Sequence, residues 1–395
     1  MKTKAGYLTY CTNIHRGENW KDHFHELRKY VPKIKNSVAP DEKMGIGLRV
    51  SRPMQLDLQD HSTLKTFQSW LQENDLYVFT LNGFPYGNFH SDVIKEKVHA
   101  PDWTTPERQE YTLRLFDLLQ KLLPDHLSDG GISTSPLGYR HQYPEGPPRQ
   151  KAIEKATQQI ITVAEYLDNI YQTSGQLLHL DLEPEPDGII EDGKEFVDWY
   201  LGILLPAAEK HFAKISKNAE EATRIILRHI CLCYDVCHMA VEFENQPNLI
   251  GQLKKNNIAI GKIQLSSAIK IPAGKSPEDL RAFVEDQYLH QAVLRTDTGQ
   301  LLKYRDLDEA LAHPWPDQAE WRVHYHVPIF TKKYRHLDST QDFIDEILEI
   351  HKESPLSNHL EIETYTWEVL PEDLQLPLEE SIIREYQFIL NKIND

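Results

Sequence analysis

The sequence has little cysteine, fewer basic than acidic residues, and no long apolar run. Four cysteines among 395 residues are too few for a disulfide-based scaffold. Lysine and arginine total 43 against 60 acidic residues, and the net charge of −17 argues against binding to nucleic acid or anionic membranes. No stretch approaches the ~20 apolar residues that span a bilayer, and the N-terminal segment lacks the apolar core of a signal peptide. We therefore expect a cytoplasmic protein with no membrane insertion and no nucleic-acid partner.

Three of the cysteines lie close together, in the segment CLCYDVC. Their spacing differs from the two-residue knuckle of structural zinc sites. Cys231 and Cys233 fall on one face of a predicted strand. We therefore expect small buried side chains here rather than a zinc cluster.

Short apolar runs typical of buried strands alternate with amphipathic helical segments along the chain. Eight runs cover residues 6–13, 44–50, 75–83, 130–136, 177–186, 230–235, 260–268 and 359–367, and a further run covers 321–330. The alternation predicts an α/β fold, a (β/α)8 TIM barrel. A doubly wound open sheet is the alternative, although no GxGxxG motif follows the first run. We expect a single domain over residues 1–395, with an insertion at about 270–320 and a C-terminal helical extension.

The fifth predicted strand ends in HLDLEPEPDG, residues 179–188, where leucines alternate with His179, Asp181 and Glu183. Alternate residues share one face of a strand. Because the leucines can pack on the outer helices, the acidic face is predicted to point into the barrel. We expect His179 and Asp181 to pair deep inside, and Glu183 to lie at the carboxyl end, where barrel active sites form.

Other predicted strands also end in polar residues, which are candidates for the same site. They are Asp235 and His238 after the sixth strand, Gln264 on the seventh, His324 and His326 on the further run, Glu361 and Glu363 on the eighth, Asn13 and His15 on the first, and Asn82 on the third. Inward-facing carboxylates repel one another unless a cation lies among them. We therefore predict a divalent metal ion at Glu183, Asp235 and Glu363. Mn, Mg, Zn and Fe suit such ligands about equally, and paired structural acids are the alternative.

Substrate contacts are expected from the loops around this site. The candidates are Asn13, His15, Asn82, His238 and His324, together with His90 in the loop after the third strand. The expected ligand is a small polar metabolite.

Four stretches resemble a known family. YLTYCTNIHRGENW, LHLDLEPEPDG, CYDVCHMAVEFE and LEIETYTWEVLP are similar to segments of the EboE-type metabolite traffic proteins, bacterial members of the xylose isomerase-like TIM barrel superfamily. The resemblance extends over essentially the whole chain, and its specificity rests on these four stretches.

The superfamily resemblance implies a metal held by acidic residues at the ends of strands five, six and eight and by a histidine on strand seven. The matching positions carry Glu183, Asp235, Glu363 and Gln264. Gln264 thus stands where an imidazole is expected. An amide oxygen can bind a hard cation but adds no basicity, so His326 is expected to complete the ligand set. The DxxH motif that contacts substrate in the sugar epimerases is matched by Asp235 and His238.

These residues predict a metal-dependent sugar or sugar-phosphate isomerase or epimerase. A metal would polarise a hydroxy-ketone, Glu183 and Glu363 would serve as base and acid, and His238 would steady the developing oxyanion. The competing interpretation is a non-catalytic metabolite-binding or trafficking protein that retains the pocket. A metal-dependent phosphoesterase, such as endonuclease IV, is a third, which the charge of −17 and the sparse histidines disfavour.

Overall fold

The computed structural model describes residues 1–87, 89, 94–367, 370 and 376–394. Eight parallel strands form a barrel in the order β2-β15-β8-β7-β6-β5-β4-β3, and β1 (Lys2–Thr3) pairs antiparallel with β2. The barrel strands are β2 (Gly6–Tyr10), β3 (Met44–Arg49), β4 (Leu76–Asn82), β5 (Asp129–Thr134), β6 (Leu177–Leu182), β7 (Ile230–Asp235), β8 (Ile260–Leu265) and β15 (His359–Ile362).

The first and second barrel strands, β2 and β3, close the barrel. Cys11, one residue beyond β2, forms an isolated parallel bridge with Gly47. The Thr9 hydroxyl donates to the Gly45 carbonyl at 2.9 Å, and the Arg49 amide donates to the Thr12 hydroxyl, also at 2.9 Å. Because the sheet closes on itself, the barrel prediction is confirmed and the open-sheet alternative is wrong.

Amphipathic helices cover the outside of the barrel. They begin and end as α1 (Trp20–Val38), α2 (Arg52–Asp57), α3 (His61–Glu73), α4 (Pro106–Leu122), α5 (Pro147–Ser174), α6 (Gly193–Trp199), α7 (Leu205–Ala213), α8 (Ala219–His229), α10 (Gln246–Lys255), α12 (Gln341–Glu353) and α13 (Leu378–Asn394). Two further helices differ: α9 (Val236–Val241) is buried throughout, and α11 (Leu307–Ala312) lies in the connection between β8 and α12. Side-chain caps start several of them, including a capping box of Asn218 and Glu221 on α8. The last helix, α13, contacts α1 and α12 in the position of the eighth barrel helix.

A second sheet occupies the connection between β8 and α12. Its six antiparallel strands run in the order β11-β10-β12-β9-β14-β13. They are β9 (Ile269–Ile271), β10 (Ala292–Arg295), β11 (Leu301–Tyr304), β12 (Glu320–Val323), β13 (Lys333–Tyr334) and β14 (Leu337–Ser339). The apolar run at 321–330 is therefore a strand only as far as Val323, and the segment after it carries His324 and His326.

The barrel interior is polar as well as apolar. Lys262 on β8 donates to Glu361 on β15 at 2.9 Å and to the Ser133 hydroxyl on β5 at 3.2 Å, and the side chains of Lys262 and Glu361 are both fully buried. His179 and Asp181 form the expected internal pair, with 2.6 Å between Nδ1 and Oδ1.

Three glycines make room for these interior side chains. A Cβ on Gly47 would lie 1.7 Å from Glu361 Oε2, and a Cβ on Gly261 would lie 2.0 Å from Asp181 Oδ1. A Cβ on Gly131 would lie 2.3 Å from His179 Cε1. The polar side chains therefore fit inside the barrel because these strand positions carry glycine.

The helices of the described ranges were compared with the requirements for membrane spans. None is both long and apolar enough to cross a bilayer.

We predict that Lys262→Met lowers the free energy of unfolding by about 3–5 kcal/mol, because it leaves the Glu361 carboxylate buried without its partner. Urea unfolding measures the loss. The double variant Lys262→Met/Glu361→Met should recover most of it, since an apolar pair of similar volume replaces a buried ion pair at little cost. A double variant as unstable as the single one would contradict a role for the charge pair.

Gly47→Ala should destabilise the protein by about 1–3 kcal/mol through overpacking against Glu361. The matched control is Gly251→Ala on the exposed face of α10, where a Cβ meets no atom within 4 Å. This control should raise stability by ~0.5–1 kcal/mol, as alanine favours helices. Equal effects of the two substitutions on the urea midpoint would refute the spatial argument.

Candidate metal and substrate site

Three acids are buried together at the carboxyl end of the barrel. Glu183 directly follows β6, Asp235 ends β7, and Glu363 directly follows β15; they are 3%, 0% and 4% exposed. Burial, and then the charge of Asp235, raises the pKa of Glu183 well above its usual value. Burial and the charges of Glu183 and Asp235 raise the pKa of Glu363 in the same way. The predicted electrostatic conflict among inward-facing acids is therefore present at this end of the barrel.

Amide groups engage both oxygens of Glu363. Gln264 Nε2 donates to Oε2 at 2.5 Å, while the side-chain amides of Asn13 and Asn82 donate to Oε1 at 2.8 and 3.2 Å. The Gln264 oxygen accepts from the Cys233 thiol at 2.7 Å. Both ends of the Gln264 amide are thus occupied by protein groups. The metal-ligand role predicted for Gln264 stays a prediction.

Three histidines converge on the same pocket in a defined tautomer. Nδ1 of His238 contacts the Pro184 carbonyl at 3.0 Å, Nδ1 of His326 contacts the Glu363 carbonyl at 2.9 Å, and Nδ1 of His324 contacts Gln291 Oε1 at 2.8 Å. Because these oxygens only accept, each Nδ1 carries the proton and each Nε2 keeps its lone pair. Metal-binding histidines show this arrangement, since an oxygen acceptor on one nitrogen orients the other.

The Asp235 carboxylate lies beside these rings. Its Oδ1 accepts from the His238 amide at 3.0 Å and from the Ser266 hydroxyl at 2.7 Å. Its Oδ2 lies 3.9 Å from His238 Nε2. Within the described ranges, Asp235 Oδ2, His324 Nε2 and His326 Nε2 are buried without a hydrogen-bond partner. Asp235 and His326 belong to one group of potential metal ligands, and buried acceptor atoms without a hydrogen-bond partner fit a cation.

Asp235, His238 and His326, here called the mouth site, offer ligand atoms that all lie within 4.8 Å of one another. Burial lowers the pKa of His326 to about 4, and the charge of Asp235 opposes this shift only in part. Burial also lowers the pKa of His238. Burial acts to raise the pKa of Asp235, but His238 and His326 act in the opposite direction and the pKa is lowered. Neutral imidazoles beside an ionised carboxylate are the protonation states that metal ligands require.

A pocket of about 620 Å³, counted to its open mouth, lies above these groups. Asn13, Asn82, His238 and His324, four of the predicted substrate contacts, line it. Apolar side chains form much of its wall, and they include Phe84, Phe89, Ile94, Tyr288 and Tyr365.

His15 is not among the described residues that line the pocket, and its role as a substrate contact stays a prediction. Its Nε2 bonds the Tyr10 hydroxyl at 2.8 Å, and its ring stacks on Tyr30 at 5.3 Å. Asn13, two positions earlier, does line the pocket; the chain between the two residues turns through a 3₁₀ helix, Thr12–Ile14, so their side chains have different surroundings. His90, another predicted contact, lies outside the described residues.

Sequence reasoning missed two pocket residues. Glu185 Oε1 lies 3.1 Å from His99 Nε2, and both residues line the pocket. Burial, and then Asp235, raises the pKa of Glu185 well above its usual value. The EPEP repeat places Glu185 two positions after Glu183 and could have indicated it. His99 lies in a 3₁₀ helix, Lys95–His99, and no sequence pattern links it to the site.

The cysteines are free and buried, as expected. Cys233 nevertheless takes part in the site, because its sulfur lies 3.7 Å from Glu183 Oε2 as well as donating to Gln264. Cys237 groups with His324 and His326 as a further set of atoms within ligand reach of one another.

No protein-family model and no curated protein matches this chain. Solved structures do. A protein from Anabaena variabilis, described as a candidate sugar phosphate isomerase/epimerase, aligns with a TM-score of 0.50 at 8% identity over 98% of both chains. A xylose isomerase-like TIM barrel protein from Mycobacterium smegmatis, in complex with magnesium, aligns with a TM-score of 0.49 at 10% identity over 98% of this chain and 96% of that one. The IOLI protein, with a bound zinc atom, aligns with a TM-score of 0.46 at 15% identity over 98% of both chains.

At these identities the similarity concerns the fold alone. The strand order and the alignment over nearly the full length agree with each other. The chain therefore folds as a (β/α)8 barrel.

Proposed function

We propose that the pocket binds a divalent metal ion at Asp235, His238 and His326, together with a small polar metabolite of the sugar type, and that it transfers a proton next to a carbonyl group. The observation that carries this proposal is the set of buried, unpartnered acceptor atoms beside Glu183. When bound there, the cation would supply Lewis acidity toward a carbonyl or hydroxyl oxygen. Mn, Mg, Zn and Fe remain candidates.

Glu183 is proposed as the proton-transferring group. Its Oε1 lies 3.8 Å from His238 Nδ1 and its Oε2 lies 3.7 Å from Cys233 Sγ. Neither contact is short enough to hold the carboxylate as hydrogen bonds hold Glu363. A raised pKa brings a carboxyl group closer to the working pH of a general base. Glu183 also lines the pocket, so a bound substrate can reach it.

Glu363 is proposed to orient the amides around it rather than to transfer a proton. Both of its oxygens accept amide hydrogen bonds, which leaves little room for a proton to arrive or leave. The sequence-based pairing of Glu183 as base with Glu363 as acid stays a prediction. His238, predicted to steady an oxyanion, is assigned here to the metal.

The charge of the pocket favours a substrate without phosphate. Lys95 alone carries a fixed positive charge among the described residues that line the pocket, and its ammonium group is paired with Asp306. Glu183, Glu185 and Glu363 lie on the same surface. An uncharged sugar or sugar-derived metabolite avoids the repulsion that a phosphate would meet.

A metabolite-binding protein without turnover is a second candidate, as the resemblance to EboE-type proteins implies. The amide cage around Glu363 favours it, because a carboxylate held by Asn13, Asn82 and Gln264 suits recognition rather than proton transfer. Incubation with candidate ketoses in deuterated water separates the candidates: a proton-transferring protein incorporates deuterium next to the carbonyl, and a carrier binds without exchange.

Removing one metal ligand should weaken metal binding strongly. Asp235→Asn and His326→Gln are expected to reduce Mn²⁺ or Zn²⁺ affinity in calorimetric titrations. The loss should exceed the roughly 10–100-fold expected for a residue that only hydrogen-bonds to a metal ligand. Ser266→Ala, which removes only the hydroxyl that orients Asp235, should fall within that range. Asp198→Asn, on the exposed face of α6, is the control. Unchanged affinity in Asp235→Asn would eliminate the mouth site.

Glu183→Gln should lower the rate of deuterium incorporation by about 10²–10⁴ while metal affinity stays within a few-fold of wild type, because only the base is lost. The control is Glu220→Gln, an exposed residue at the start of α8. Exchange at the wild-type rate in Glu183→Gln would remove Glu183 from the mechanism. Absence of exchange in the wild-type protein with every ketose tested would favour the carrier.

A further inference from the structure

A second group of potential metal ligands lies at the opposite, amino end of the barrel. Asp129 begins β5, His179 is in β6 and His359 begins β15. Each offers one ligand atom, and these atoms all lie within 4.8 Å of one another. None of the three lines the pocket at the carboxyl end. The group is therefore distinct from the mouth site.

The distances suit a transition metal. His359 Nε2 lies 3.4 Å from Asp129 Oδ2, and the rings of His179 and His359 lie 5.3 Å apart with an angle of 31° between their planes. Two ligands of a tetrahedral zinc ion with bonds of about 2.0–2.1 Å are about 3.3 Å apart. The His179 ligand atom lies within 4.8 Å of both others, so the three side chains would have to move closer together to bind one ion.

The surroundings orient one imidazole as they do at metal sites. His179 Nδ1 is bound to Asp181 Oδ1 at 2.6 Å, which directs the opposite ring nitrogen away from Asp181. At many metal sites a carboxylate accepts a hydrogen bond from one nitrogen of a histidine whose other nitrogen binds the metal. The backbones of Gly131 and Gly261 leave space for this pair, since a Cβ on either would overlap it.

This end of the barrel contains buried polar atoms without hydrogen-bond partners and a buried carboxylate. Within the part of the chain that the structure describes, His359 Nδ1 and Asp181 Oδ2 are buried without a hydrogen-bond partner, and the two residues are 1% and 0% exposed. Lys262, the nearby ammonium, is already paired with Glu361. Asp129 and Asp181 thus lie beside two imidazoles and one ammonium group that is already paired, and a divalent cation would add positive charge next to both carboxylates.

We infer that Asp129, His179 and His359 form a second metal site, here called the basal site, which takes Zn²⁺ or a similar first-row divalent ion, with Asp181 orienting His179. Two histidines and one carboxylate leave a fourth position for water. The side chain of Asp129 is 15% exposed and lines a surface depression at the amino end of the barrel, which gives the ion a route from solvent. A cation at this place would cross-link β5, β6 and β15.

Metal stoichiometry on the full chain tests the basal site. The protein is stripped with chelator, dialysed against excess Zn²⁺, and analysed for bound metal per chain. Wild type should bind two equivalents, Asp129→Asn one, and Asp235→Asn one. Asp125→Asn, an exposed residue of the same connecting segment, is the matched control and should keep both.

Each stoichiometry has one meaning for the basal site. A single equivalent that survives Asp235→Asn and disappears in Asp129→Asn would support the basal site while refuting the mouth site. A single equivalent that disappears only in Asp235→Asn would overturn the basal site, and so would wild-type protein without bound metal. Circular dichroism checks that the variants are folded, and His359→Gln provides a second route to the same loss.

Spectroscopy supplies an independent readout. Co²⁺ loaded into Asp235→Asn should give the visible absorption of a four-coordinate ion, and Asp129→Asn in that background should abolish it. Six-coordinate, weakly absorbing Co²⁺ that is unchanged by Asp129→Asn would count against the site.

Discussion

The burial of many carboxylates inside one closed sheet is the constraint that the rest of this structure has to satisfy. Glu361, Asp181, Glu183, Asp235 and Glu363 are all at most 4% exposed. An isolated ionised carboxylate in such a place is very unfavourable, so each needs a partner or must bind a proton. The protein uses a different partner at each level. Lys262 pairs with Glu361 in the middle, histidine pairs with Asp181 below, and amides and imidazoles surround the acids at the mouth.

The second sheet supplies two histidines at the mouth of the barrel. Gln264 on β8 is hydrogen-bonded to Cys233 and Glu363, so this strand contributes an amide in place of an imidazole. His324 and His326 follow β12 of the second sheet instead. Lys303 ties that sheet to the barrel loops through Glu191 and Glu242, with contacts of 2.7 and 2.5 Å. The inserted sheet therefore serves as a rigid support that carries two imidazoles to the barrel mouth.

The two ends of the barrel share one chemical principle. In both places at least one histidine is oriented by an oxygen acceptor and lies near a carboxylate with a buried, unpartnered oxygen. At the mouth a pocket with apolar walls and a polar floor adjoins these groups, and it gives them access to a metabolite. At the base the corresponding groups face only a shallow depression, which suits an ion with a structural role.

The sequence by itself determined the barrel fold and the inward orientation of its acidic residues. Strand and helix periods are local properties, so alternating apolar runs predicted the eight parallel strands, and the leucine alternation of LLHLDL predicted that His179 and Asp181 face inward. Tertiary structure decided which polar atoms remain available. Sequence spacing cannot reveal that Cys233 and Glu363 occupy the amide of Gln264, that His15 turns toward Tyr10, or that Asp129 meets His359. The longest of these contacts joins Asp129 to His359, 230 positions apart, and the folding of the barrel brings the two residues together.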